Sequence, residues 1–282
     1  MVSINTNISS LVAQSSLRNS TSKLNNAIEQ MTTGYKINHA KDNAANYSIA
    51  VDMSTKIGAY DVAEDNCAMA LDLVNTANDA YDLIADKLER LIALENQYKN
   101  GTYGEDSKSA MIDEAIAITQ ELFRIKENTK YNGMELFDNT LNIDQISSIT
   151  FNFQIGINDS DSSKITITTS DDYIDIGINA APYIGYFLED YYIDDNQFTY
   201  SSMLSHVTAK QTELGAVQNR LESALESISV QRDNLVSSRS TIKDADVAEV
   251  SSEYIKQQIL QQASSTLLAT ANQTPSIALQ LI

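Results

Sequence analysis

A seven-residue repeat of apolar side chains constrains this chain more than any other feature. Between residues 47 and 99, Ile57, Leu71, Ala85 and Ile92 keep one heptad position. Tyr60, Cys67, Val74, Tyr81 and Leu88 keep another. An α-helix turns once every 3.6 residues, so a repeat of seven held this long keeps one narrow face toward a partner and imposes a supercoil. One helix over this stretch would measure about 75 Å at about 1.5 Å per residue. Glu64 and Asn78 interrupt the seam, and polar residues in such seams more often fix register than carry chemistry.

The same period returns elsewhere. Residues 203 to 239 carry Leu214, Leu221, Ile228 and Leu235 at sevens, with Val217 and Ala224 between them. Residues 4 to 31 carry Ile4 and Leu11, then Leu17, Leu24 and Met31, with Ile8 and Ile28 on the alternate turns. A shorter helix is expected from about Asp106 to Thr129, with Met111, Ala115, Ile118, Leu122 and Ile125 along one face and Asp106 or Ser107 as its cap. A last helix begins near Asp246, follows Ile255, Ile259, Leu260, Ala263, Leu267 and Leu268, and is expected to end at Pro275. Nine Gly and two Pro in 282 residues leave few breaks for helices of this length. The connectors are polar: residues 35–46, the Gly-containing turn from Lys99 to Asp106, Tyr131-Asn132-Gly133, and Ser237 to Asp246.

From Ile149 the period changes to two. Ile149, Phe151, Phe153, Ile155 and Ile157 alternate with polar or small residues, Asn158 to Ser163 form a turn, and Ile165 and Ile167 resume the alternation. This pattern predicts a β-hairpin, and Ile174, Ile176 and Ile178 suggest a third strand. The element order is nearly palindromic. The expected fold is mostly α: a rod of long coiled-coil-like helices with both termini at one end and a small β-hairpin insert at the other.

Charge separates the chain's parts. The first 17 residues and the last 26, from Gln257 to Ile282, carry none, yet both hold apolar stripes among Gln, Asn, Ser and Thr. Such segments are expected to be buried against each other and against copies of themselves, because helices of about 28 residues bury a narrow stripe poorly alone. The chain as a whole has a formal charge of −19, and the segment from Asp138 to Tyr200 holds eleven acids against one lysine. That balance argues against nucleic-acid binding, which needs clustered Lys and Arg, and suits a surface facing water. The start lacks the pattern of a secretory signal, and no run of about 18 apolar residues predicts membrane insertion. A single cysteine, Cys67, excludes an internal disulfide and fits a buried thiol.

Catalysis finds little footing. The two histidines, His39 and His206, are far apart, and no H-E-x-x-H, Gly-rich phosphate loop or G-x-S-x-G occurs. Asp190, Asp194 and Asp195 read as a solvated face before a cation site. No catalytic, cofactor or metal residue is assigned, and no cofactor is expected.

Several separate motifs carry a resemblance to bacterial flagellin, in the form of a short member with a small variable region. They are INTNISSLVAQSSLRNS at the start, TTGYKINHAKDNAANYSIA from Thr32, KYNGMELF from Lys130, FQIGIND from Phe153, LGAVQNRLESAL from Leu214, IKDADVA from Ile242, and ANQTPSIALQLI at the end. The resemblance spans about 1 to 137 and 203 to 282. It implies a structural subunit of the extracellular flagellar filament, exported unfolded through the flagellar type III pathway and serving motility. Residues 1–46 and 240–282 would form the inner-tube domain, 47–137 and 201–239 a helical rod, and 138–200 an outward-facing variable region.

On this reading Ile4, Ile8, Leu11, Ile255, Ile259, Leu260, Leu267 and Leu268 serve self-assembly. Leu71, Val74, Leu88, Leu214, Leu221, Ile228 and Leu235 fill the rod core. The implied partners are copies of the chain, a flagellar secretion chaperone, the filament cap and the hook–filament junction proteins. Gln258, Gln262, Ser265 and Gln273 are expected to face a neutral lumen. Met31 to Ile37 (MTTGYKI) and Ala40 to Asn46 (AKDNAAN) depart from the family's common LSSGLRI and AKDDAAG but keep a polar connector.

Some flagellins are recognised by a Toll-like innate immune receptor, and the residues matching that patch are Arg90, Leu94 and Glu114. Ile92 and Ala93 replace the family's second Arg and following Glu, and an ordinary filament contact is the other reading of the three. The competing assignments are a hook–filament junction protein and a secreted helical adhesin or receptor ligand.

Overall fold

The computed structural model describes residues 7–137, 149–158, 160, 163–169 and 199–280, apart from the side chains of 168–169 and 274–280. Ile4, the expected third strand at Ile174 to Ile178, and Asp190, Asp194 and Asp195 lie outside the described residues. Five long helices occur among those described: α1 (Ile8–Thr33), α2 (Ala44–Tyr98), α3 (Glu105–Asn128), α4 (Tyr200–Lys243) and α5 (Val247–Gln280). Two short antiparallel pairs join them: β1 (Lys130–Tyr131) with β2 (Met134–Glu135), and β3 (Ile149–Gln154) with β4 (Lys164–Thr169). This mostly α architecture with a small β insert is the expected fold class.

Local chemistry sets the helix ends. Asn7 caps α1 by accepting from the Ser10 N–H at 3.1 Å. Gly34 closes α1 with φ +73°, donating its N–H to the Gln30 carbonyl at 2.9 Å, a left-handed stop that glycine adopts without steric cost. The Asn43 side chain accepts from the Asn46 N–H, so α2 begins at Ala44, three residues earlier than the apolar pattern suggests. Asp246 accepts from the N–H groups of Ala248 and Glu249 and starts α5. Thr199 and Ser202 cap α4 reciprocally, each side-chain oxygen accepting the other's backbone N–H at 3.1 Å.

Three expected boundaries are corrected. The cap of α3 is Gly104, which makes no side-chain bond, while Glu105 and Asp106 lie in the first turn where carboxylates favour the helix dipole. The polar run after Ser237 stays helical to Lys243, because it holds no Gly or Pro and Thr241 folds its hydroxyl back onto the Ser237 carbonyl. Pro275 does not end α5, which continues to Gln280. Proline restricts the residue before it and removes one N–H, but a helix can cross it if the freed carbonyl finds another donor.

The chain divides into two compact units, one within Met1–Gly58 and Arg232–Ile282, the other Ala59–Gln231. In the second unit, α2, α3, α4 and the hairpin share one core. Leu73, Val74, Ile84, Leu88 and Leu91 of α2 meet Leu122 of α3, Val207, Leu214 and Leu221 of α4, and Ile165 and Ile167 of β4. The Asn132-Gly133 turn has positive φ at both positions, 49° and 78°, and returns the chain so that Leu136 and Phe137 are buried. Phe137 meets Tyr81 edge to face with ring centroids 5.2 Å apart. The Asn66 side chain donates to the Gln154 carbonyl at 3.0 Å and ties the hairpin to α2.

The buried face of α2 keeps one expected row, Cys67, Val74, Tyr81 and Leu88, while Leu71, Ala85 and Ile92 of the other row are half-buried. Its centre includes Ala63, Ala70, Ala77, Ile84 and Leu91, also spaced by seven. Glu64 and Asn78 therefore lie half-buried at the edge, where polar side chains reach water. Three alanines in that row gave a weak apolar signal.

Candidate assembly interface

The first unit pairs the first and last helices. α1 and α5 run antiparallel, with Asn7 beside Ala271, Ser16 beside Ser264, Thr21 beside Gln261, and Gly34 beside Ala245. Their seam is made of small and polar residues at sevens: Ala13, Ser20 and Ala27 on α1, and Val250, Gln257 and Ser264 on α5. Small side chains let two helix backbones approach closely. Two polar pairs cross the seam: the buried Ser264 hydroxyl donates to Ser16 at 3.2 Å, and the half-buried Thr21 hydroxyl accepts from the Gln261 amide at 3.1 Å.

Most of the large apolar side chains of the same helices stay exposed, while Leu17 and Leu24 are half-buried. Ile8 is 68% exposed, Ile259 63% and Leu267 61%, and Leu11, Val12, Ile255 and Leu260 are exposed with them. Leu268 is half-buried. The pair is inside out: hydroxyls and methyls within, isobutyl and sec-butyl groups in water. Ile8, Val12, Ala13, Leu267 and Ala271 line a groove of about 570 Å³ between the helices. The seam residues escaped sequence reading because the large stripe dominates the pattern. The Ala13–Ser20–Ala27 row was the available signal.

Next to this pair the two connectors clasp. The Lys36 N–H donates to the Lys243 carbonyl at 2.7 Å and the Ala245 N–H to the Gly34 carbonyl at 2.9 Å, forming an antiparallel bridge at Tyr35 and Asp244. The Lys243 ammonium sits 4.3 Å from the centroid of the Tyr35 ring. His39 is spent on Glu29, its Nε2 2.7 Å from the carboxylate.

In the second unit Val74, Leu88, Leu214, Leu221 and Ile228 are buried and Leu71 is half-buried; in the first, Leu235 is half-buried. Arg90 and Glu114 form an exposed ion pair, Nη2 to Oε1 at 2.7 Å. Leu94 is 1% exposed and packs into the core, so its side chain is not on the surface beside them. Gln258, Gln262, Ser265 and Gln273 are exposed. Among the described residues no helix is long and apolar enough to cross a membrane.

Comparison with known proteins bears on this arrangement. The bacterial flagellin N-terminal helical region matches residues 4–142, and the bacterial flagellin C-terminal helical region matches 200–282. The flagellin of Halalkalibacterium halodurans is 30% identical over 285 residues, covering 99% of each chain. The flagellin of Bacillus subtilis is 31% identical, again over 99% of each chain. A flagellar filament 30.7 kDa core protein of Treponema maltophilum is 26% identical with the same coverage.

Proposed function

The chain belongs to the bacterial flagellin family and is a structural subunit of the flagellar filament, and we infer that it polymerises through the outward apolar face of its terminal helix pair. The inside-out pairing of α1 with α5 carries this reading. Ile8, Leu11, Val12, Ile255, Ile259, Leu260 and Leu267 stand in water on helices with no charge along much of their length. A contiguous apolar patch of that kind marks an interaction surface. Copies of the same pair offer the matching chemistry: apolar, uncharged and helical.

In this reading residues 1–46 and 240–282 form the inner domain of the filament, 47–137 and 201–239 the helical layer around it, and 138–200 the outward region. Gln258, Gln262, Ser265 and Gln273 face the lumen, where a neutral wall lets an acidic unfolded copy pass without strong attraction. Export runs through the flagellar type III pathway to the cell exterior, with a chaperone on the C-terminal segment before export and cap and junction proteins at the filament's ends. Family membership supports these partners.

Deleting Gln257 to Ile282 tests the reading. It removes Ile259, Leu260 and Leu267 and leaves the core of the second unit whole. The expected product is a monomer that retains helical content but forms no filaments under polymerising conditions. Long filaments of the truncated chain in electron micrographs would overturn the assembly argument.

A second reading concerns Arg90 and Glu114, whose side-by-side placement at 2.7 Å favours a small polar contact for an innate immune receptor. Leu94 takes part only through packing beneath them.

A further inference from the structure

Proline at position 275 leaves a specific gap in α5. In an α-helix the N–H of residue 275 would donate to the carbonyl of Ala271, four residues back. Proline has no N–H, so that carbonyl loses its partner while the helix continues to Gln280. The Ala271 oxygen is nevertheless satisfied. The side-chain Nδ2 of Asn7, 264 residues away in sequence, donates to it at 2.6 Å.

The other end of the same amide is also occupied. Asn7 Oδ1 accepts the Ser10 N–H at 3.1 Å and so caps the start of α1. The orientation of the amide follows from its partners: a backbone N–H can only donate and a carbonyl oxygen can only accept. One residue on, the Ser10 hydroxyl donates to Asn272 Oδ1 at 2.7 Å, which holds the two backbones at this register.

We propose that the Asn7 side chain replaces the N–H missing at Pro275, so that one amide completes the start of α1 and the interior of α5 together. Asn7 is thus a positioning residue for the terminal helix pair. The side-chain requirement is narrow. Aspartate keeps the cap but has no donor and sets a carboxylate against a carbonyl. Serine keeps a cap but is too short to span the gap between the helices. The bearing of this device on filaments rests on the assembly reading above. The device itself lies within one chain.

A double-mutant cycle on the full-length chain tests it. Asn7→Ser, Pro275→Ala and the double variant are compared by the critical concentration for filament growth and by circular-dichroism melts of the free chain. Asn7→Ser alone should raise the critical concentration about three- to tenfold, the range of one lost hydrogen bond. In the Pro275→Ala background Ala271 regains a backbone donor, and the same change should raise it less than about twofold. Equal effects in both backgrounds would overturn the proposal and reduce Asn7 to an ordinary helix cap.

Hydrogen exchange on the wild type and Asn7→Ser supplies a readout that does not need the proline variant. Faster exchange is expected in the turn of α5 after Ala271, whose carbonyl loses its donor, with Ser10–Ala13 changed less because serine keeps the cap. Acceleration confined to α1 would sink the proposal. A wild-type chain that forms no filaments would count against the assembly reading alone, and the melts would still report whether the two substitutions couple.

Discussion

The thiol of Cys67 on α2 donates to the carbonyl oxygen of Leu221 on α4 across 3.3 Å. Both side chains are fully buried, so this weak bond sits where α2 and α4 cross the core. Burial pushes the Cys67 thiol up from its ordinary range. A raised value means less thiolate at neutral pH, and the thiolate is the reactive form.

Cys67 should therefore react slowly with a thiol reagent in the native chain, and orders of magnitude faster in denaturant. Rapid native labelling would remove it from the core. Leu221→Ala, which empties space beside it, should cost about 2–5 kcal/mol in a denaturant melt and speed the labelling.

Gly156 closes the turn between β3 and β4. A Cβ built there would meet Ser163 Cβ at 2.6 Å, nearer than real side chains approach. Gly156→Ala should destabilise the second unit by about 1–3 kcal/mol. Adding Ser163→Gly should restore part of that loss. A neutral Gly156→Ala melt would show that the turn opens freely.

Asp42 in the first connector accepts the N–H of His39 at 3.0 Å and of Asn38 at 3.1 Å. The His39 bond chiefly, with that of Asn38, holds its carboxyl below the ordinary aspartate range, against a smaller opposing effect of burial. Its folded pKa is therefore below its unfolded one. The contribution to stability is present above the unfolded value of about 3.9 and is lost as pH falls through the lower folded value. The carboxyl resonance of Asp42 should titrate below that of an unstructured aspartate, and Asp42→Asn should abolish this acid-limb loss. A midpoint equal to the free value would contradict the hydrogen bonds.

Arg90 and Glu114 make an exposed pair, so Arg90→Ala should change stability by less than about 1 kcal/mol. Leu94→Ala, at a buried position, should cost about 2–5 kcal/mol. In a receptor reporter assay a loss with Arg90→Ala would then mean a lost contact, whereas a loss with Leu94→Ala would track unfolding. Unchanged signalling by Arg90→Ala would count against the receptor reading.

The helices were legible because their period is set by backbone geometry and repeated many times, as with Leu214, Leu221 and Ile228. The hairpin was legible for the same reason at period two. What escaped was direction. The spacing of Ile8, Leu11, Ile255 and Ile259 marks an apolar stripe but not its facing, because a stripe meant for another copy reads the same as one meant for the chain's own partner. The small residues that do meet, Ala13, Ser20, Ala27 and Ser264, carry almost no hydrophobic signal. Pro275 misled for a related reason: the donor that lets α5 continue comes from Asn7, too far along the chain for any local rule.

The antiparallel pairing of α1 with α5 joins one of the earliest segments of the chain to one of the latest. A polypeptide that stops short, or loses its tail to a protease, retains every residue of the Ala59–Gln231 core yet leaves α1 without a mate. If the terminal pair carries assembly, as proposed above, such a fragment folds in its middle and is still refused entry to the polymer. The terminal pair is then a completeness check, a lock that turns only when both ends of the same message have arrived.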